Sequence, residues 1–198
     1  MQAMTRILLL QGHPDHQNPH FCHALASAYA DGARSAGHEV RTVDIASLDF
    51  PLLRSAKEWE EGQVPPGLRE SQEAIRWAEH IVFFFPLWLG DMPALVKGFL
   101  EQVARPGFAF AAEGGRTAFT RKGLTGRTAR LVVTMGMPAL VYRWYFRAHS
   151  VKSLERNILG FVGIAPVEET LIGGAGALEA AAAGKWLSKL RALGAAAK

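Results

Sequence analysis

The feature that most constrains the fold is an unbroken apolar run at residues 81–85, followed by a short loop and a helical pattern. A strand with no polar residue predicts burial on both faces, as in a parallel sheet. Pro86 ends the strand because it has no N–H for the ladder. Asp91 and Pro93 suit the cap and first turn of the next helix. Residues 86–90 therefore form a loop at the carboxyl edge of a buried strand, where open α/β sheets bind ligands.

The composition predicts one folded domain over residues 1–198, since 49% of the residues are apolar and no linker interrupts the pattern. The net charge of +4 comes without a basic block, which favours small anionic ligands over a nucleic acid. No apolar run approaches the roughly 20 residues that span a bilayer, and the first residues lack a signal-peptide pattern. The single cysteine, Cys22, excludes an intrachain disulfide. We expect a cytoplasmic protein with no membrane span and no nucleic-acid partner.

Strand-like runs alternate with helical patterns along the chain. The predicted strands cover residues 6–11, 39–44, 80–85, 130–134 and 167–172. The predicted helices cover residues 19–37, 68–79, 93–103, 150–159 and 177–193, and residues 47–67 and 105–127 are predicted loops. This alternation predicts an α/β fold, a doubly wound parallel sheet of five strands with helices on both faces. In the strand order 2-1-3-4-5, loops 12–21, 86–91 and 135–141 meet beside strands one and three.

The first of these loops offers donors for an anion. Residues 12–21 leave a strand and enter a helix that Asn18 is expected to cap, and free N–H groups at such a helix end bind phosphates. His13, His16 and His20 add side-chain donors. The loop matches neither a G-x-G-x-x-G turn nor a Walker motif, so a phosphate loop of another kind and a plain capped loop are the two interpretations. A metal site is not expected, because His13 and His16 lie on the loop and point separately.

The loop after the fourth strand carries a glycine, aromatic residues and a histidine. Gly136 permits the close approach of a flat ligand because it has no side chain. Tyr142 and His149 are candidates for the ligand rim, where a histidine can supply or accept a proton near neutral pH. The alternative is that the aromatics of residues 142–146 pack in the core or at a dimer face, and for most of them we prefer that interpretation.

Three motifs together resemble a known family. They are the His-Pro loop at residue 13, the segment Phe-Pro-Leu-Trp-Leu-Gly-Asp-Met-Pro-Ala-Leu-Val-Lys-Gly-Phe from residue 85, and the glycine-bearing loop followed by Tyr142 and His149. They resemble the NAD(P)H:quinone oxidoreductases of flavodoxin-like fold, which include bacterial quinone reductases and ancillary subunits of potassium-efflux systems. The resemblance covers nearly the whole chain and implies a flavodoxin-like sheet of five strands.

The resemblance implies a flavin site built from three loops. The first would hold the flavin phosphates through His13, His16, Asn18, His20 and Phe21. The second would hold the isoalloxazine ring through the backbone of Pro86, Leu87, Trp88, Leu89 and Gly90. The third, where the family has Thr-Thr-Gly-Gly, would hold the pyrimidine side through Thr134, Met135, Gly136 and Met137. Tyr142 and His149 would be the catalytic pair. The two methionines, and the lack of hydroxyl residues in the first loop, are departures from the family pattern.

The family's chemistry implies FMN as the cofactor, with FAD as the alternative, and NAD(P)H as the co-substrate. Hydride would pass through flavin N5 to a quinone-like acceptor in a ping-pong cycle, in a homodimer. One alternative is a flavin- or nucleotide-binding regulatory subunit of a transport system. An electron-transfer flavodoxin is disfavoured by the basic pI of about 9.5, and a Rossmann dehydrogenase by the missing glycine motif after the first strand. Arg116, Arg121 and Lys122 are candidate contacts for a 2′-phosphate.

Overall fold

The computed structural model describes residues 3–110 and 122–198. These residues contain a five-stranded parallel sheet with the order β2-β1-β3-β4-β5. The strands are β1 (Arg6–Gln11), β2 (Glu39–Asp44), β3 (His80–Pro86), β4 (Thr128–Thr134) and β5 (Val167–Ile172). The predicted fold class, strand number and strand order are confirmed.

The helices cover both faces of this sheet. They are α1 (Phe21–Ser35), α2 (Ala56–Glu61), α3 (Arg69–Trp77), α4 (Ala94–Val103), α5 (Ala139–Trp144), α6 (His149–Ser153), α7 (Gly160–Val162) and α8 (Ala180–Ala195). A π-helical segment, Leu154–Leu159, joins α6 to α7, and short 3₁₀ turns cover Ile45–Ser47, Pro66–Leu68 and Ala175–Ala177. None of the helices in the described ranges is long and apolar enough to cross a membrane.

The central strand β3 is buried along its whole length because apolar residues cover it from both sides. Val82 and Phe84 point into a core formed with α1 and α8. Phe83 and Phe85 point into a second, larger core that contains residues of α3, α4 and α6. Successive side chains of a strand face opposite sides of the sheet, so residues 81–85, which lie between two helical layers, have no position that faces solvent. The unbroken apolar run has this cause.

Two helices begin later than the sequence pattern predicted. The first residue of α1 is Phe21, and the residue at its cap position is His20 rather than Asn18. The Asn18 side chain instead donates to Asp15 Oδ2 at 2.9 Å within the preceding loop. Similarly, α4 begins at Ala94 after Pro93, not directly after Asp91. In both places the predicted capping residue is used by a tight turn upstream of the helix.

Two short helices lie where the sequence analysis placed loops. The polar stretch at residues 47–67 contains α2, which Ser55 caps by accepting a hydrogen bond from the Glu58 N–H at 3.1 Å. The aromatic loop after β4 contains α5, which begins directly after Pro138. Both helices have only six residues, so they show too little periodicity for the pattern to distinguish them from a loop.

A buried histidine lies at the first residue of β3. His80 Nδ1 is 2.7 Å from Thr128 Oγ1, and its Nε2 atom is buried without a hydrogen-bond partner in residues 3–110 and 122–198. Burial, with a smaller contribution from the positive charge of Arg130, lowers the pKa of His80 to about 4. Arg130 is itself buried, and its guanidinium donates to Thr170 Oγ1 at 2.9 Å and pairs with Glu168. The folded state therefore holds His80 neutral.

We expect His80 to make the folded state less stable in acid. Its pKa lies near 4 in the folded state and near 6.5 in an exposed histidine, so below pH 6.5 the unfolded chain binds the proton first. The contribution of neutral His80 to the free energy of unfolding is therefore fully present above pH 6.5. It is lost between pH 6.5 and pH 4, which lowers the free energy of unfolding by about 3 kcal/mol. Urea titrations of wild type and His80→Gln at a series of pH values give the free energy of unfolding as a function of pH, and its slope is compared between the two proteins. The exposed His16→Gln is the matched control, and an equal slope in wild type and His80→Gln would contradict the prediction.

Candidate functional site

Three loops meet at the carboxyl edge of the sheet, beside strands β1, β3 and β4. The Gly12 N–H donates to the Phe84 carbonyl at 2.7 Å, which joins the first loop to β3. The Leu87 N–H donates to the Thr134 carbonyl at 2.7 Å, which joins the second loop to the end of β4. The predicted ligand loops are therefore neighbours in space, as the strand order requires.

Asp15 organises the first loop from within. Its Oδ1 accepts hydrogen bonds from the N–H groups of Gln17 and Asn18 at 3.1 and 3.2 Å. Its Oδ2 lies 2.8 Å from His20 Nε2. The His20 ring, then the Asn18 amide and the backbone N–H groups, hold the pKa of the Asp15 carboxyl well below its usual range. Asn18 and His20, both predicted as phosphate donors, are thus tied to a carboxylate of their own loop.

Three imidazole rings cluster beside this carboxylate. The ring of His13 stacks on that of His20 with 3.8 Å between centroids, and the ring of His23 lies 5.2 Å from His13 and 5.6 Å from His20. Burial, followed by the charges of the neighbouring imidazoles, lowers the pKa of His13 and of His23. In the described ranges no three histidine, cysteine or acidic side chains are arranged to hold a metal ion. Neutral His13 and His23 leave their Nε2 positions as hydrogen-bond donors.

The protonation of these two rings follows from their contacts. His13 Nδ1 accepts the Asp15 N–H at 3.2 Å, and His23 Nδ1 accepts the His20 N–H at 3.2 Å. Each ring is therefore the tautomer that carries its proton on Nε2. At the start of α1, the Phe21 and Cys22 N–H groups have no acceptor among the described residues. His16 is exposed on the loop. These groups are the ones that remain available to an anion.

The second loop is a two-residue turn that presents an indole ring. Trp88 and Asp91 exchange backbone hydrogen bonds of 2.8 and 3.0 Å, and the residues between them, Leu89 and Gly90, have φ angles of 49° and 81°. Left-handed angles are ordinary for glycine and unfavourable for leucine. The N–H groups of Leu87 and Trp88 are used inside the protein, while those of Leu89 and Gly90 have no partner among the described residues. Pro86 has no N–H to offer.

The indole of Trp88 lies between the first and second loops. It is half exposed, and its edge meets the ring of His13 with 6.1 Å between centroids. It also lines a pocket of about 440 Å³. The other lining residues include Asp91, Met92, Lys97, Ser150 and Ser153. None of these five residues was predicted from the sequence as a site residue, although Asp91 lies within the predicted ligand loop 86–91.

The third loop leaves open space at one position, Gly136. A side-chain carbon built on Gly136 would meet no atom of the described residues within 4 Å. The side chain of Met135 is buried and its N–H donates to the Ile172 carbonyl at 2.9 Å, so it belongs to the core. The Met137 carbonyl accepts the Gly174 N–H at 3.1 Å. Thr134 is buried at the end of β4. Of the four predicted residues in this loop, Gly136 is the one whose surroundings are open.

Tyr142 and His149, predicted from the sequence as a pair, lie in different environments. Tyr142 is buried, and its hydroxyl is 2.6 Å from Ser150 Oγ and accepts the Val151 N–H at 3.3 Å. Its side chain therefore joins α5 to α6 and does not lie at a ligand rim. His149 is exposed at the first residue of α6 and lines a separate groove with Arg147, Lys152 and Arg156.

The loop at residues 105–127 was predicted to be a contact for a 2′-phosphate. Arg116 and Arg121 lie outside the described residues. Lys122 is used within the fold, since its Nζ donates to the Gly160 carbonyl at 2.8 Å at the end of the π-helical segment. The structure therefore gives that prediction no support at Lys122.

Comparison with known proteins agrees with this architecture. Residues 5–193 match the protein family described as flavodoxin-like fold. A ribosyldihydronicotinamide dehydrogenase-like protein of Penicillium crustosum is 28% identical over 157 residues, in a match that covers 66% of this chain and 57% of that relative. The chain thus spans little more than half the length of that protein.

Two further relatives match over most of their length. An FMN-dependent NADH:quinone oxidoreductase of Macrococcus caseolyticus is 27% identical, over 86% of this chain and 88% of the relative. The solved structure of an NAD(P)H:quinone oxidoreductase from Methanothermobacter marburgensis superposes with a TM-score of 0.82 at 23% identity, covering 99% of this chain and 100% of the other. At that identity the structural match is evidence of a common fold.

Proposed function

The chain belongs to the flavodoxin-like family, and from this premise we propose that it is a flavin-dependent NAD(P)H oxidoreductase that reduces a quinone-like acceptor. The observation that carries the proposal is that three loops meet near Trp88. The N–H groups of Leu89 and Gly90 have no partner among the described residues, and the position of Gly136 is open. A flat, polar-edged ring needs this combination of donors and clear space. The predicted activity agrees with the names of the relatives.

The chain's own residues fit a flavin mononucleotide. Leu89 and Gly90 would donate N–H groups to the polar edge of the ring, and the Trp88 indole would lie beside its face. The N–H groups at the start of α1 and the Nε2 donors of His13 and His23 would hold the phosphate. The Macrococcus relative is FMN-dependent by name, which supports FMN, with FAD as the alternative. Asn18 and His20 would shape the loop rather than contact the phosphate, because their side chains are bound to Asp15.

When bound, the flavin supplies the chemistry, accepting hydride from NAD(P)H and passing two electrons to the acceptor. The protein contributes position and charge. The half-exposed face of Trp88 and the pocket of about 440 Å³ beside it would take the nicotinamide and the acceptor in turn. The backbone at Gly136 would approach the ring edge that carries negative charge after reduction. Tyr142 would act as a positioning residue through Ser150, and His149 remains a proposed proton donor at the outer rim.

The test is the absorbance spectrum of the purified protein, reconstituted with FMN, before and after anaerobic addition of NADPH. We expect the bands of oxidised flavin, and we expect them to bleach within seconds and return when a quinone is added. A protein that stays colourless after incubation with FMN and with FAD would overturn the proposal. If flavin binds but neither NADPH nor NADH bleaches it, the protein is a flavin-binding module and the proposed enzymatic activity is refuted. The proposed cytoplasmic location is independent of this result.

We also propose that two copies of the chain form a homodimer through α5 and the residues after it. Large apolar side chains are exposed on this segment: Leu140, Val141, Trp144, Tyr145 and Phe146. Trp144 and Tyr145 are 76% and 80% exposed, which is unusual for adjacent aromatic residues of a monomer. A stable dimer buries about 800 Å² on each partner, and a second copy supplies a matching apolar surface by symmetry.

Trp144→Glu is expected to convert the dimer to a monomer, because a carboxylate placed on an apolar interface cannot be desolvated without a partner. Sedimentation velocity at micromolar concentration measures the change. Met4→Glu is the matched control, since Met4 is also an exposed apolar residue and lies away from α5. Wild-type protein that sediments as a monomer would refute the dimer, and a dimeric Trp144→Glu variant would place the interface elsewhere.

A further inference from the structure

A groove beside the Trp88 pocket is lined by basic side chains. Its volume is about 580 Å³, and it is lined by Arg147, His149, Lys152, Ser153, Arg156 and Asn157. We call it the basic groove. Among residues 3–110 and 122–198, no carboxylate lies within 4.0 Å of the charged groups of Arg147, Lys152 or Arg156. Arg143, a few residues upstream, is by contrast paired with Glu169. Three unpaired cations around one cavity create an anion site.

The backbone that carries Arg147 is fixed by the core. Arg147 and Ala148 have consecutive left-handed φ angles of 54° and 49°. Ala148 is buried, and its N–H donates to the Tyr142 carbonyl at 3.0 Å. Tyr142 is held in turn by its hydroxyl contacts with Ser150 and Val151. Left-handed non-glycine residues are unfavourable and persist where the surrounding structure determines them. The Arg147 guanidinium is thus attached to a rigid corner at the rim of the basic groove.

The basic groove and the Trp88 pocket are neighbours, because Ser153 lines both of them. Their proximity suits one extended molecule that reaches from one cavity to the other. Lys152 lies on α6 and Arg156 on the π-helical segment that follows it, and both side chains line the basic groove. A ligand that fits has a planar redox group at one end and a phosphate-like group at the other. The reductant of the proposed function has this form.

We propose that the basic groove binds the 2′-phosphate of NADPH, and that the protein therefore uses NADPH in preference to NADH. This rests on the proposed function, because it assigns the nicotinamide to the Trp88 pocket. The two dinucleotides differ only in the 2′-phosphate, and that group carries nearly two negative charges at neutral pH. Arginine and lysine bind such a group through charge-assisted hydrogen bonds. NADH offers the basic groove only a hydroxyl at the same place.

The first test compares the two reductants in a double variant, Lys152→Gln/Arg156→Gln. Both residues are exposed, so the variant keeps the fold. Arg147 and His149 are left unchanged, the first because of its left-handed backbone and the second because it is a proposed proton donor. We expect kcat/KM to fall at least about tenfold for NADPH and less than about twofold for NADH. An equal fall for both reductants, or no fall, would overturn the assignment of the 2′-phosphate to the basic groove.

The matched control removes the same charge from the opposite face of the sheet. Lys185 and Lys189 are exposed on α8, which packs with α1 rather than with α6. Lys185→Gln/Lys189→Gln is expected to leave the ratio of the two kcat/KM values unchanged. A control variant that lost NADPH selectivity to the same extent would show that the effect arises from net charge, which would also overturn the proposal.

The second test measures binding without any reaction. Isothermal titration calorimetry compares adenosine 2′,5′-bisphosphate with adenosine 5′-monophosphate at fixed ionic strength. We expect the wild type to bind the bisphosphate at least about tenfold more tightly, and Lys152→Gln/Arg156→Gln to lose that difference. Equal affinity of wild type and variant for the bisphosphate would contradict the basic groove as its site. Because this readout needs no flavin, it separates a failure of the basic groove from a failure of the proposed function.

Discussion

Gly136→Ala should weaken flavin binding at least about fivefold while leaving the fold intact. The new methyl group would meet no protein atom within 4 Å, so nothing in the described residues opposes it. It would, however, project into the space where the flavin ring is proposed to lie. Forcing a methyl group into a closely packed contact costs about 1–3 kcal/mol, which corresponds to a rise in Kd of about 5- to 150-fold. Titration of the apoprotein with FMN, followed by the quenching of flavin fluorescence, measures it.

The stability of the same apoprotein separates a local effect from a global one. Replacing glycine by alanine at an unstrained position usually stabilises a protein slightly, by about 0.4–1 kcal/mol. We therefore expect Gly136→Ala to unfold at or slightly above the wild-type temperature. Gly184→Ala is the matched control, because a side-chain carbon on that α8 residue also meets nothing within 4 Å and lies far from the three loops. Wild-type FMN affinity in Gly136→Ala would remove the third loop from the proposed site.

The sheet could be predicted from the sequence because each strand is specified locally. The apolar run of β3 needs burial on both faces, and the alternation of strands with helical patterns needs parallel crossovers. Once the strand order follows, the loops after β1, β3 and β4 have to lie side by side. Contacts between residues distant in sequence are therefore implied by topology. This is why the sequence located three loops without any information about their internal structure.

The internal structure of the first loop could not be predicted, because one carboxylate rearranges it. Asn18 is a residue type that commonly caps helices, yet its side chain is bound by Asp15, and the helix starts at Phe21, three residues later. Whether the Asn18 side chain caps the helix or binds Asp15 depends on a difference of about 1 kcal/mol between the two hydrogen bonds. For α2 a usable signal existed, since Ser55 and Glu58 have the spacing of a capping box.

The roles of Tyr142 and the basic groove show a different limit. Tyr142 and Trp144 stand two residues apart in one aromatic run, but on α5 they face different directions, and only Trp144 is exposed. Because the sequence pattern did not predict a helix here, the two residues could not be assigned to different environments. The groove around Lys152 and Arg156 depends also on Arg147, which reaches it through a left-handed backbone corner. Such a corner at a non-glycine residue has no signature in composition.

Gly32→Ala is expected to lower the free energy of unfolding by about 3 kcal/mol, although alanine is the better helix former by about 1 kcal/mol. The helices α1 and α8 contact each other through their backbones at this point. A side-chain carbon on Gly32 would lie 1.9 Å from the Arg191 carbonyl oxygen, and one on Gly194 would lie 2.1 Å from the Tyr29 carbonyl oxygen. No rotamer change relieves a clash with backbone, so the two helices would have to separate and lose apolar burial on that face of the sheet.

A change of opposite sign in the free energy of unfolding is expected at Gly184. The two variants together therefore separate the effect of helix packing from that of helix propensity. Gly184 lies on α8 like Gly194, but a side-chain carbon there meets nothing within 4 Å, so Gly184→Ala should raise the free energy of unfolding by about 0.5–1 kcal/mol. Urea unfolding of both variants and wild type, followed by circular dichroism, measures the two shifts. If Gly32→Ala also stabilised the protein, the helices would not be in backbone contact, and the covering of the sheet by α1 and α8 would need revision. Helix propensity alone predicts the same sign at both glycines, so opposite signs would identify the close contact of the two backbones as the cause.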